Sequence, residues 1–174
     1  MTILLVIVTI FAVIVLLASR QPDGFQIVRS ATVQAPPDRV FPLINDFHNW
    51  LKWSPWDKLD PAMKKDFGGP ASGVGSSYAW SGNSKAGEGR MEITESEAPS
   101  RVKLDLNFIR PFKSNNTTQF DLAPSGNGTN VNWTMNGSAN FITKVWMIFA
   151  NMDKMVGKDF DEGLMNLKRV AEQS

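Results

Sequence analysis

Trp50, Trp53 and Trp56 recur every third residue in the run Trp50-Leu51-Lys52-Trp53-Ser54-Pro55-Trp56-Asp57-Lys58-Leu59-Asp60-Pro61. They are three of the six tryptophans in a chain of 174 residues. A buried aromatic ring of this kind removes on the order of 150–250 Å² from water, so the run must pack onto something concave or apolar. Pro55 and Pro61 forbid one continuous helix through it. Two readings fit: a lid closing one end of an ordinary core, or the rim of a pocket for an apolar ligand. Three nearby or downstream side chains could do acid–base chemistry: His48, Asp57 and Glu88. His48 is the only histidine, and no nearby Ser has an evident acidic third partner, so no triad is assigned. Asp57 and Glu88 are the carboxylates expected near the pocket mouth. A buried carboxylate has a raised pKa and can move protons; a solvated one does neither. No catalytic residue is therefore assigned.

The inward-facing apolar candidates for ligand contact are Trp50, Trp53, Trp56, Tyr78, Trp80, Met91, Phe108, Phe120, Trp133, Met135, Phe149 and Met152, with Phe160 beside them. Most must be core whatever the function; the excess of tryptophan is what argues for a ligand. Arg90 alternates with Met91 and should point outward. Cysteine is absent, which removes disulfides, thiolate metal sites and cysteine nucleophiles. With one histidine, neither a metal nor a cofactor is expected. The net charge is +1, from 18 basic and 17 acidic residues without a block of like charge, and this argues against nucleic acid as a partner. The glycine-dense stretch 68–75 lacks the Lys-Ser/Thr ending of a phosphate loop and the dinucleotide spacing in its strand-to-helix context. Asn115, Asn116, Asn127, Asn132 and Asn136 each begin an Asn-x-Ser/Thr triplet. Several of these fall in expected strands and are read as coincidence.

The elements that must hold these side chains follow from periodicity. Residues 3–18 are apolar apart from Thr9. As a helix, residues 1–19 reach ~28 Å at 1.5 Å per residue, adequate for a hydrocarbon core of about 30 Å. No basic residue precedes the run, and Leu16-Leu17-Ala18-Ser19-Arg20 is a poor cleavage site. A retained single-span anchor is thus favoured over a signal peptide. Arg20, on the C-terminal side, assigns the following domain to the cytoplasm. Residues 20–24 read as a linker, and 25–174 as the folded domain. A strand is expected over 25–34. Ala35-Pro36-Pro37-Asp38 then opens a short helix containing Pro42, followed by a second helical piece around 48–53. Period-two runs at 76–81, 87–97, 101–109, 115–122 and 129–137 belong to a meander of about six antiparallel strands. From Val145 to Ala171, apolar residues recur every three or four positions. This spacing predicts one amphipathic helix of about seven turns.

This order is α+β. The chain resembles the SRPBCC superfamily with the START-like helix-grip fold, and most of all its polyketide cyclase/dehydrase and lipid transport branch. The resemblance rests on Arg29-Ser30, Ala35-Pro36-Pro37, Val40-Phe41, Ile44-Asn45-Asp46-Phe47 and Trp50 with Trp53-Ser54-Pro55-Trp56. It continues through Asp60-Pro61, Gly73-Val74-Gly75, Trp80-Ser81-Gly82-Asn83, Gly87-x-Gly89-Arg90-Met91, Gly128-Thr129-x-Val131-x-Trp133 and Gly157-Lys158-Asp159-Phe160, over residues 24–174. It implies a curved antiparallel sheet wrapped around a long C-terminal helix, with a cavity between them. The function expected is a membrane-anchored, non-enzymatic binding protein for a hydrophobic small molecule or lipid. The alternatives are a cyclase/dehydratase-like enzyme, or a protein-interaction domain gripping an unknown partner with its Trp-rich rim.

Overall fold

The computed structural model describes residues 2–149 and 151–173; the Met152 side chain lies outside the described set. The elements run α1 (Thr2–Ser19), β1 (Gly24–Val33), α2 (Pro37–Asn45), α3 (Phe47–Trp50), a 3-10 turn (Pro55–Lys58), β2 (Lys64–Gly68), β3 (Ser77–Ser81), β4 (Glu88–Glu97), β5 (Arg101–Arg110), β6 (Ser114–Ser125), β7 (Gly128–Ser138), α4 (Phe141–Phe149) and α5 (Met152–Gln173). The strands form one seven-stranded sheet in the order β1-β7-β6-β5-β4-β3-β2, every neighbour antiparallel. The curved sheet and the long α5 enclose the core, so the architecture is the α+β helix-grip arrangement expected.

The strands form where apolar and polar residues alternate. Val102 and Leu104 of β5 and Val131, Trp133 and Met135 of β7 are all buried on the inner face. The register aligns these strands in rows. One row crosses the whole sheet as Phe25–Gly137–Asn116–Leu106–Met91–Tyr78–Phe67. The next is Ser114–Phe108–Gly89–Trp80–Lys65. Two glycines in these rows leave space that large side chains fill. A Cβ on Gly89 would stand 2.5 Å from the Trp80 ring, and one on Gly137 would collide with Asn116 Oδ1 and the Phe25 ring.

α2 holds four of its residues against the core and ends after nine. The last four carbonyls of a helix lack partners within it, and here each finds one outside. Asn49 Nδ2 donates to Pro42 O at 3.0 Å, Trp53 Nε1 to Leu43 O at 2.8 Å, Trp50 Nε1 to Ile44 O at 2.8 Å, and Gly73 N to Asn45 O at 3.0 Å.

β2 to β7 are the six antiparallel strands of the meander, and β2 is the one without a period-two signal, because Lys64-Lys65-Asp66-Phe67-Gly68 carries a single large apolar side chain. One sequence expectation is corrected. The single helix expected from Val145 to Ala171 is two helices. Asn151 starts α5 afresh, its side chain accepting the Lys154 backbone N–H at 3.0 Å as an N-cap does. Asn140 does the same for α4 through Thr143 N at 2.9 Å. Phe141, Ile142, Trp146 and Phe149 of α4 are exposed, as are Met155 and Met165 of α5. The apolar face of α5 is therefore Val156, Phe160, Leu164, Leu167 and Ala171. α4 packs beside α1, and Lys144 pairs with Asp23 at 2.5 Å. α1 itself is exposed along nearly all its length, with a mean hydropathy of 3.0. It is long and apolar enough to cross a membrane, a property that signal sequences share.

Candidate functional site: a cavity under the long helix

Between the inner face of the sheet, the 3-10 turn and the first turns of α5 lies a cavity of about 230 Å³. Of the predicted contact residues, Trp50, Trp56, Tyr78, Trp80, Met91, Phe108, Trp133 and Met135 line it, together with Phe160. Trp53 and Phe120 do not. Trp53 is 1% exposed and Phe120 fully buried, and they pack on each other edge-on at 6.2 Å behind the wall. Phe149 is 72% exposed at the end of α4 and does not line the cavity, since it belongs to α4 and not to the α5 face that closes it. The Met152 side chain lies outside the described residues. The sequence reading missed Phe25 at the start of β1, Leu104 and Leu106 on β5, Val156 on α5 and Met63 before β2. Of the six polar lining residues only Asp57 was expected; Ser54, Ser114, Asn116, Thr118 and Asp159 were not.

The lining aromatics form two clusters on opposite sides of the cavity. Trp133 stacks on Phe160 at 3.9 Å, and Trp56 meets both edge-on at 5.8 and 6.1 Å. On the far side Trp80 stands between Tyr78 (6.0 Å) and Phe108 (5.8 Å), with its N–H given to Ala86 O at 3.1 Å. α5 is pinned over the cavity by Arg29, whose guanidinium pairs with Asp153 at 2.8 Å and Asp161 at 3.3 Å. Gly157 makes room for it: a Cβ there would coincide with the guanidinium.

Two carboxylates reach the cavity. Asp57 receives the Tyr78 hydroxyl; burial first, and the Asp57 charge second, push the Tyr78 hydroxyl pKa upward. The Lys65 ammonium lies 2.5 Å from Asp57 Oδ1, as an ion pair without an aligned hydrogen bond. Asp159 accepts the Trp56 N–H, yet burial outweighs that bond and the carboxyl pKa is raised, with Glu162 adding to the rise. Glu88 does not reach the cavity. It turns outward to Arg110 at 2.6 Å, because β4 alternates and Gly89 takes the inner position. Arg90 also points outward, to Glu92 at 2.7 Å. His48 lies outside, bonded to Asp46 at 2.8 Å and stacked on Phe67 at 4.3 Å. Asp159 had a sequence signal, since it follows Val156 by three residues and precedes Phe160 on the helical spacing.

The arrangement can surround an apolar body with aromatic and aliphatic side chains, and it offers a few polar atoms to orient it. Among solved structures, a protein from Chromobacterium violaceum, CV1439, superposes with a TM-score of 0.61 at 16% identity, over 87% of this chain and 99% of that one. The Aha1 dimer from Colwellia psychrerythraea gives 0.61 at 18% identity over 85% and 96%. Mll3558 from Rhizobium loti gives 0.56 at 22% identity over 86% and 96%. At these identities the likeness is one of fold. No curated protein matches the chain. The model of the family described as polyketide cyclase / dehydrase and lipid transport matches residues 24–172, and the chain belongs to that family.

Proposed function

We propose that this chain is a non-enzymatic binding protein for a hydrophobic small molecule or single-chain lipid, tethered to a membrane by α1 with its domain on the cytoplasmic side. The cavity carries the reading: about 230 Å³ of space lined mainly by aromatic, leucine and methionine side chains. An engineered apolar cavity of about 150 Å³ takes benzene, and ligand pockets typically run ~300–1,000 Å³. The space therefore suits a one- or two-ring compound or a short acyl chain, whereas a two-chain phospholipid would leave most of its body outside. Open space under the rim also favours a small ligand over a rim that only grips protein. Native mass spectrometry of the full chain released from nanodiscs, with saturable uptake of an anilinonaphthalene dye, is the test. A cavity that stays empty and takes no dye defeats the reading. Alkaline carbonate extraction and paired C-terminal reporters test the tether; a reporter active only outside the cytoplasm reverses the orientation.

A second reading, a cyclase/dehydratase-type enzyme, is favoured by one observation. Asp57 and Asp159 both line the cavity, and burial raises the pKa of Asp159, as a proton-transferring carboxyl requires. Turnover of a short poly-β-keto thioester, lost in Asp159→Asn with dye uptake intact, would establish it.

A further inference from the structure

Among the described residues, four buried side-chain polar atoms have no hydrogen-bond partner: Asp57 Oδ1, Asn116 Oδ1, Thr118 Oγ1 and Trp133 Nε1. All four residues line the one cavity described above. Buried polar groups in folded proteins are almost always paired, so four exceptions gathered around one space point to a partner that enters it. Asp57 Oδ1 has at least the Lys65 ammonium nearby. The other three form a group of their own.

Asn116 and Thr118 are two residues apart on β6 and so project from the same face. Thr118 is opposite Met135 and Phe120 opposite Trp133, which makes Trp133 the diagonal neighbour of Thr118. Asn116 spends its amide donors on Leu106 O at 3.3 Å and Ser114 Oγ at 3.2 Å; its carbonyl lies over the space left by Gly137. The six-membered edge of the Trp133 indole abuts Gly163 of α5, so the N–H edge faces the other way. Thr118 is 2% exposed between Leu104 and Met135, where a valine of the same shape would pack equally well. Its hydroxyl is therefore informative.

We propose that the β6–β7 wall is a polar recognition subsite, so that the ligand is an amphipathic compound whose ring-sized apolar body carries a hydroxyl. The hydroxyl oxygen accepts from Trp133 Nε1 and Thr118 Oγ1 and its proton is donated to Asn116 Oδ1, while the body rests on Met91, Leu106 and Phe108. This rests on the ligand-binding reading above and narrows it to a chemical class.

The test compares 2-naphthol with 2-methylnaphthalene, of nearly the same shape, on the full chain in nanodiscs, corrected for partition into empty nanodiscs. 2-Naphthol should bind about tenfold or more tightly than the methyl compound, because only it pairs the orphaned atoms. In Thr118→Val and Asn116→Leu that ratio should fall toward one. In the unmutated chain the Trp133 indole N–H resonance should move downfield with 2-naphthol alone, a readout independent of how the variants fold. Equal affinities in the unmutated chain, as expected if bound water alone satisfies these atoms, overturn the subsite and leave the binding reading standing. A ratio unchanged in both variants overturns it too. If neither compound binds, the binding reading itself fails and takes the subsite with it.

Discussion

Replacing Trp53 and Trp56 separately by phenylalanine distinguishes a structural tryptophan from a ligand-facing one within a single run. Trp53→Phe keeps a ring but removes the donor to Leu43 O, a bond of 2.8 Å in the buried core. An orphaned carbonyl at a buried helix end costs about 1–3 kcal/mol. Losing roughly 40 Å² of buried indole costs about 1 kcal/mol at ~25 cal/mol per Å². The sum is about 2–4 kcal/mol, a large share of the roughly 5–15 kcal/mol that holds a domain together. Trp56 is half-buried and donates to Asp159, which solvent still reaches. Water can replace that bond, so Trp56→Phe should cost about 1 kcal/mol or less. Urea unfolding of the full chain in nanodiscs, followed by near-UV circular dichroism, measures both. Dye titration of the same samples should weaken in Trp56→Phe and persist in folded Trp53→Phe. If Trp53→Phe were as stable as the parent, or lost dye while Trp56→Phe kept it, the division of roles would be refuted.

Asp159→Asn should stabilise the chain at neutral pH. Burial holds the Asp159 carboxyl above its ordinary 3.8, so the folded state keeps a proton that the unfolded state has already released. Its favourable contribution is full below 3.8 and is lost as pH rises through the raised folded value. The advantage of the variant should therefore be greatest at pH 7 and vanish on acidification; an advantage independent of pH would defeat the assignment. Asp153 behaves oppositely, since its hydrogen bond to Arg29 lowers its pKa. Comparing variant with parent cancels it. Gly157→Ala in an Arg29→Ala background should stabilise α5 by about 1 kcal/mol, the ordinary helix preference for alanine. With Arg29 present the gain should disappear, because the new methyl displaces the guanidinium from its acidic partners; additivity in thermal melts of the four chains would rule that out. Gly89→Ala should destabilise by about 1–3 kcal/mol through overpacking against Trp80 and Asn107 O, with a shifted tryptophan emission; an unchanged melt would contradict the close approach.

Much of the fold was legible because β5 and β7 alternate cleanly and the turn residues fall between strands. The break between α4 and α5 was not, because apolar residues continue at helical spacing on both sides of Asn151. The spacing alone cannot tell a cap from a helix interior. The candidate site was legible by residue type but not by depth. Trp53 and Trp56 look alike in sequence, yet one indole N–H faces the end of α2 and the other faces Asp159. Phe120 and Met135 likewise share an inward face, but Phe120 lies beneath Trp50 and Trp53, with ring contacts at 5.9 and 6.2 Å. Thr118 and Asn116 were not legible, because a polar residue at an inward strand position carries the same sequence signal as one on a wet face.

The cavity follows from how the tryptophan run divides its work. Trp50 and Trp53 tie off the C-terminal end of α2 and sit 4.6 Å apart, filling the row of the sheet that contains Val102, Phe120 and Trp133. Phe160 closes that row from α5 by stacking on Trp133, and Arg29 fixes the helix at the β1 edge. Beyond the row of Ile27, Met135, Thr118 and Leu104, the following two rows carry Gly137 and Gly89, and the ring of Trp80 folds back over Gly89. Filled on one side and short of side chain on the other, the layer under α5 cannot close completely. Trp56 stands at that boundary, with Trp133 and Phe160 against its ring and Asp159 on its N–H. Its place explains why a run that first presents itself as either a lid or a rim is both: Trp53 belongs to the core, Trp56 to the cavity, and Trp50 ties off α2 while also lining the cavity.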